Sequence, residues 1–127
     1  MSARTYKTVV LAVVATAIAL GVAWRLQAKS AQPGVGDFPA VLDFGMGVCE
    51  QCKKMKPILT ELAAEYQGRC RIEIIDIGEH PEQAGKYDVK LIPTQIFFDA
   101  QGQEVFRHEG FMPKADILRK LRETGVR

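Results

Sequence analysis

The chain has 127 residues, the length of one small domain; 47% are hydrophobic and 25% charged, which excludes a disordered chain, a collagen-like repeat and a multi-domain enzyme. Three cysteines are too few for a disulfide scaffold. Of the 17 basic residues, Arg4, Lys7, Arg25 and Lys29 all precede residue 30, so the remainder is slightly acidic and offers no clustered basic face for nucleic acid.

From Thr8 to Trp24 no residue is charged (TVVLAVVATAIALGVAW). As a helix, this run spans roughly 25 Å, a little short of a bilayer's hydrocarbon core, and the flanking Lys7 and Arg25 can snorkel to make up the difference. Trp24 sits where an interfacial aromatic is expected. A retained single-pass anchor fits this run. So does a cleaved secretory signal, although RLQAKSAQ contains no clean small-x-small cleavage site. A buried soluble helix fits poorly, because all faces are apolar and a small domain can hardly surround it. Ala17 and Gly21 form a small-xxx-small pair of low specificity. Arg4 and Lys7 favour a cytoplasmic N-terminus, with the following domain facing the periplasm or exterior. The expected organisation is an anchor or signal segment over residues 1–29, a Pro- and Gly-containing linker over 30–38, and a folded domain over 39–127.

The domain reads strand, helix, strand, helix, hairpin, helix. Pro39 to Phe44 is a short apolar run consistent with a buried strand, broken by Gly45 and Gly47. A helix follows from about Glu50 to Tyr66, where Cys52, Met55, Leu59, Leu62, Ala63 and Tyr66 recur at spacings of three and four, with Gly68 as C-cap. Pro57 falls inside it and is expected to kink it. Arg71 to Ile77 is a second strand and His80 to Lys86 one or two helical turns opened by Pro81. Thr94 to Asp99 and Gln103 to His108 form a hairpin around Ala100, Gln101 and Gly102. Pro113 opens a last helix to about Glu123, with Ala115, Ile117, Leu118 and Leu121 as its inner stripe. This order predicts an α/β domain with a central mixed four-stranded sheet flanked by helices, β-α-β-α-β-β-α.

The chemistry sits at Cys49-Glu50-Gln51-Cys52. A Cys-x-x-Cys pair after a strand and at the start of a helix places the first thiol among unpaired N–H groups at the positive end of the helix dipole, which stabilises a thiolate. The thiolate is the nucleophile of disulfide exchange. The second cysteine, one turn on, can attack the mixed disulfide and release the product. Cys49 is therefore expected to be the exposed attacking thiol and Cys52 the buried resolving one. Half of a zinc site or an inert buried pair are the competing readings. For zinc, only Cys70, His80 and His108 remain as further Cys or His ligands, and they form no second paired motif, so no metal is expected.

With these residues in register the chain resembles the thioredoxin superfamily, as a minimal membrane-tethered member, over roughly Pro39 to Glu123. VLDFGMGVCEQCKKMKPIL resembles the family's strand, active-site loop and kinked helix. Asp43 lies where the family has its buried acid, Pro57 where it has its helix-kinking proline, and Ile92-Pro93-Thr94 resembles its cis-proline segment. Gly110 fits the glycine after the last strand. The resemblance implies a thiol–disulfide oxidoreductase with catalytic Cys49, Cys52 and Asp43, and no cofactor beyond the Cys49–Cys52 disulfide. Ile92, Pro93, Thr94 and Gly110 are implied as substrate-binding residues and Pro57 as a structural one. A buried Asp43 is expected to have a raised pKa and to accept and return the resolving proton. The implied cis bond at Pro93 leaves the backbone of Ile92 free to pair with a substrate strand.

Several positions depart from the family pattern. Val48 replaces the aromatic before the first cysteine, Glu50-Gln51 replaces Gly-Pro, and Ile74 stands where a lysine often neighbours the buried acid. Glu50 is expected to raise the thiol pKa of Cys49 and Lys53 and Lys54 to lower it, and the sequence does not set the net sign. Cys70 reads as a small buried hydrophobe or, alternatively, a regulatory thiol. His80 and His108 read as solvated residues. Lys53, Lys54 and Lys56 read as a solvated helix face that could also steer an acidic partner. The expected function is reduction of protein disulfides outside the cytoplasm, with electrons from a membrane thiol carrier. The alternatives are an oxidase or isomerase using the same motif, or a thioredoxin-fold binding module with a structural disulfide.

Overall fold

The computed structural model describes residues 10, 12–15 and 38–127, and the chain divides into two compact units, 1–30 and 31–127. In the first unit Val10 and residues 12–15 are helical. Apart from these and Phe38, the expected membrane segment 8–24 and linker 30–38 lie outside the described residues. Among the described residues no helix is long and apolar enough to cross a membrane.

The second unit runs β1 (Ala40–Gly45), α1 (Glu50–Glu65), β2 (Arg71–Asp76), α2 (Pro81–Lys86), β3 (Thr94–Phe98), β4 (Glu104–Glu109) and α3 (Lys114–Glu123), the order the sequence predicts. The strands form one sheet in the order β2-β1-β3-β4. β1 pairs parallel with β2 and antiparallel with β3, and β3 pairs antiparallel with β4. All six residues of β1 are buried, as expected for a strand covered on both faces.

Alternation along the strands separates two cores. Val41 and Phe97 pack with Met55, Leu59 and Leu62 of α1 and with Ile117 and Leu121 of α3. Ala40, Leu42, Phe44, Ile96 and Phe98 pack on the other face with Tyr87, which follows α2. Asp43, two residues from Val41, therefore shares the face covered by α1. The registers Asp43↔Ile74, Asp43↔Gln95 and Gln95↔His108 set Ile74, Asp43, Gln95 and His108 in one row across all four strands.

The structure corrects three expectations. Ala115 is exposed: the inner stripe of α3 is centred on Ile117 and Leu121, four residues apart, with Leu118 half-buried beside them. Gly68 is not the cap of α1. Tyr66 is, with its N–H donating to the Leu62 carbonyl, and Gly68 takes positive φ in the turn that follows. Pro113 is the N-cap of α3, not its first residue. Pro57 lies within α1 on its exposed side, where its missing N–H leaves one carbonyl of the preceding turn to solvent.

Candidate active site

Cys49 is the N-cap of α1, with extended backbone (φ −84°, ψ 121°). Its Sγ accepts a hydrogen bond from the Cys52 N–H at 3.3 Å, so the sulfur takes the place of a capping oxygen. Both cysteines are free thiols; Cys49 is half-buried and Cys52 buried. The Cys49 thiol is held below its ordinary value, chiefly by a hydrogen bond with the Cys52 thiol; burial opposes it, the backbone N–H groups of Cys52 and Gln51 add to it, and the Asp43 charge acts last against it. The opposing charges of Glu50 and Lys53 are tied to each other at 2.7 Å in solvent, so hydrogen bonds and not those charges decide the direction. The Cys52 thiol is pushed up to about 11, first by burial and then by donating to Cys49. The two thiols of one motif are thereby driven apart.

Asp43 is buried in β1 beneath this pair. Burial raises its pKa to about 6, and the side chain of Gln95 pulls it back in part. Gln95 Nε2 donates to Asp43 Oδ1 at 2.7 Å. Gly45 makes room for the arrangement: a Cβ there would stand 3.0 Å from Cys52 Sγ and 4.0 Å from Asp43 Oδ2. Asp43, Gly45, Met46, Gly47, Cys52, Lys53, Lys56, Ile74 and Asp76 line a cleft of about 350 Å³ that opens these buried groups to solvent. Ile74 lies directly across from Asp43 in the register, so no cation from β2 faces the acid there.

Three further loops complete the site. Asp76, at the end of β2, accepts from the Gly47 N–H at 3.1 Å and the Gly78 N–H at 2.8 Å, fastening the loop before Cys49 to the sheet. The Ile92–Pro93 peptide bond is cis. The Pro93 carbonyl accepts from the Gly110 N–H at 2.7 Å, and the Thr94 hydroxyl donates to the Leu91 carbonyl at 2.7 Å. Gly110 has φ +98°, a conformation that a side chain strains, and a Cβ there would lie 3.9 Å from Gln51 Oε1. Gly110 thus stands near the Gln51 side chain in the first turn of α1, with Pro93 hydrogen-bonded to it. Among the described residues, no intramolecular hydrogen bond engages the backbone of Ile92. The flanking positions Val48, Leu91 and Phe111 are exposed apolar side chains.

The structure therefore brings Cys49, Cys52 and Asp43 together and sets Pro93 and Gly110 at the same end of the sheet. Thr94 is wholly buried and supports the Pro93 turn through Leu91. Cys70 is buried in the α1 core, its thiol pushed up to about 11 by that burial, which fits the small-hydrophobe reading. His80 is the N-cap of α2, 3.7 Å from Glu82. His108 Nε2 is 3.3 Å from the Phe111 carbonyl oxygen. Among the described residues no three Cys, His, Asp or Glu side chains are grouped to hold a metal ion.

Sequence reasoning missed Gln95, Gly45 and Asp76. A polar residue inside the apolar run TQIFF draws attention to Gln95 but does not say which way it faces. Gly45 read only as a strand breaker, and Asp76 as part of a strand.

Comparison with known proteins gives the family of the chain. The thioredoxin family model matches residues 28–123. Thioredoxins of Staphylococcus aureus strains Mu50 / ATCC 700699, MW2 and COL are each 42% identical over 81 residues, covering 64% of this chain and 77% of the relative. The model match covers about three quarters of the chain, and the chain spans 77% of these relatives. The chain belongs to the thioredoxin family and is a thiol–disulfide oxidoreductase that works through a redox-active cysteine pair without an external cofactor.

Proposed function

We propose that this enzyme is held at a membrane by residues 8–24 and reduces protein disulfides on the side away from the cytoplasm, with residues 39–127 as the catalytic domain. The observation that carries the catalytic reading is the contrast between the two thiols. Cys49 is accessible and its thiolate is stabilised, whereas Cys52 is buried beside a carboxylate. The Cys49 thiolate attacks one sulfur of a substrate disulfide, and the bonding pair leaves with the other sulfur. Cys52 gives its proton to Asp43 and attacks the Cys49 sulfur, forming the Cys49–Cys52 disulfide and releasing the second substrate thiolate. Asp43, with its pKa at about 6, is mostly ionised at pH 7 and ready to accept that proton. An extended substrate segment would pair with the free backbone of Ile92 beside Pro93 and pack on Val48, Leu91 and Phe111.

The uncharged run Thr8–Trp24 and its basic flanks support the membrane assignment. An enzyme working outside the cytoplasm has no soluble reductant at hand, so its electrons would come from a thiol carrier in the membrane. Titration of the cysteine pair against a glutathione or dithiothreitol couple tests the direction of flow. A reductase gives a potential near about −270 mV, the value typical of thioredoxins. A value near about −120 mV would make the protein an oxidant and overturn the proposed direction. Failure to form any Cys49–Cys52 disulfide would leave a binding module in place of the enzyme.

A further inference from the structure

The two oxygens of the Asp43 carboxyl have different neighbours. Oδ1 accepts from Gln95 Nε2 at 2.7 Å. Oδ2 faces the space above Gly45, where a methyl group would lie 4.0 Å from Oδ2 and 3.0 Å from Cys52 Sγ. One oxygen is occupied by β3; the other lies on the Gly45 side of the carboxyl, where Cys52 Sγ also lies. Gln95 itself is wholly buried, and its Oε1 has no hydrogen-bond partner. A buried amide oxygen left unpaired is unfavourable; a leucine there would remove that penalty but would strip the buried Asp43 Oδ1 of its donor. The amide cannot relieve it by turning over, because Oε1 would then face the carboxylate. Gln95 therefore answers to the Asp43 carboxyl and not to the apolar packing around it.

We propose that Gln95 is a positioning residue: by occupying Asp43 Oδ1 it makes Oδ2, the oxygen on the Cys52 side, the one that takes the resolving proton. The inference rests on the reading of Asp43 as the base for Cys52. When Cys52 gives up its proton, the proton passes to Oδ2 directly or through one water in the cleft, and the hydrogen bond from Gln95 to Oδ1 persists in both protonation states. The Cys52 thiolate then supplies the electron pair of the new S–S bond, and the departing sulfur takes the pair of the old one. Protonated Asp43 returns its proton to the leaving thiolate or to water. Other titratable or charged groups face this site as well. From α1 and its cap come Cys49, Lys53 and Lys56. Asp76 and Glu79 contribute from the end of β2 and the following turn, and His108 of β4 lies opposite Gln95 in the register.

The test is stopped-flow reaction of the reduced 127-residue chain with 5,5′-dithiobis(2-nitrobenzoate), with the buried Cys70 replaced by Ala throughout. The first thionitrobenzoate release reports attack by Cys49 and the second reports attack by Cys52, so the ratio of the two rates isolates the resolving step. Gln95→Leu is expected to lower the ratio about tenfold at neutral pH, and Asp43→Asn about a hundredfold. In the Asp43→Asn background, Gln95→Leu is expected to change nothing further. The pH midpoint of the second release is expected to move upward in Gln95→Leu, because a bond that favours the charged carboxylate is gone. Gln95→Met, which keeps the chain length, serves as a second variant should leucine disturb folding. An unchanged ratio in Gln95→Leu or Gln95→Met, with Asp43→Asn still slow, would overturn the proposal while leaving Asp43 as the base. An equal loss from Gln95→Leu with and without Asp43 would also overturn it, since the effect would then be one of packing. An unchanged ratio in Asp43→Asn would remove the base itself, and the proposal with it.

Discussion

Asp43 is the residue on which stability and chemistry pull in opposite directions. Its carboxyl lies in a wholly buried strand, and burial lifts its pKa from 3.8 to about 6. The folded protein therefore holds this proton more tightly than the unfolded chain does. Stability attributable to Asp43 is fully present below about pH 4 and is lost as pH rises through about 6, since ionisation then favours the unfolded state. Asp43→Asn, which keeps an oxygen for Gln95 and cannot ionise, is expected to stabilise the fold by about 2–3 kcal/mol at pH 7.5. It is expected to stabilise it by only about 0.5 kcal/mol at pH 4. Urea denaturation at the two pH values measures both, and an equal effect at each would show that Asp43 is not a strained, ionised group. This conflict was readable in the sequence because an acid stands in an apolar run. The partner that tempers it was not. In TQIFF nothing distinguishes a glutamine turned outward from one facing a buried carboxylate, and only the register Asp43↔Gln95 places the two together.

At the scale of elements, the site depends on how closely α1 approaches β1. Gly45 ends β1 where the first turn of α1 passes over it, and a Cβ there would meet Cys52 Sγ at 3.0 Å and Cys52 Cβ at 3.1 Å. No space remains for a methyl group unless the helix start or Cys52 moves. Gly45→Ala is expected to destabilise the fold by about 1–3 kcal/mol in chemical denaturation, the usual effect of overpacking. A neutral result would mean that the approach is looser than described. Here the sequence was informative about the elements and silent about their contact. Periodicity located all seven elements, and cap and strand chemistry placed most of their ends within a residue. It misassigned Ala115 because spacings of three, from 115 to 118 to 121, look as regular as the true Ile117–Leu121 pair. The stripe's centre is set by the sheet that α3 packs on, which a helical pattern alone does not reveal. Glycine at position 45 likewise reads as a strand breaker until the helix above it is in place.

For the whole molecule, the four-stranded sheet places every chemical group at one end. The cysteine loop follows β1, Asp76 ends β2, Pro93 precedes β3 and Gly110 follows β4. That convergence explains why a CxxC with an acid, a proline and a glycine at long sequence distances read as one site. The proposed membrane attachment makes a cellular prediction. In intact cells, a thiol reagent that cannot cross the inner membrane is expected to label Cys49, and the label is expected to stay with the membrane fraction. Labelling only after lysis would place the domain on the cytoplasmic side. The claim that Cys49 attacks and Cys52 resolves is tested most directly by trapping the intermediate. With an oxidised protein substrate, Cys52→Ser is expected to accumulate a mixed disulfide through Cys49, identified by mass spectrometry of the linked peptides, while Cys49→Ser accumulates none. A mixed disulfide formed through Cys52 in Cys49→Ser, at a yield equal to that of Cys52→Ser, would contradict the division of labour between the two thiols.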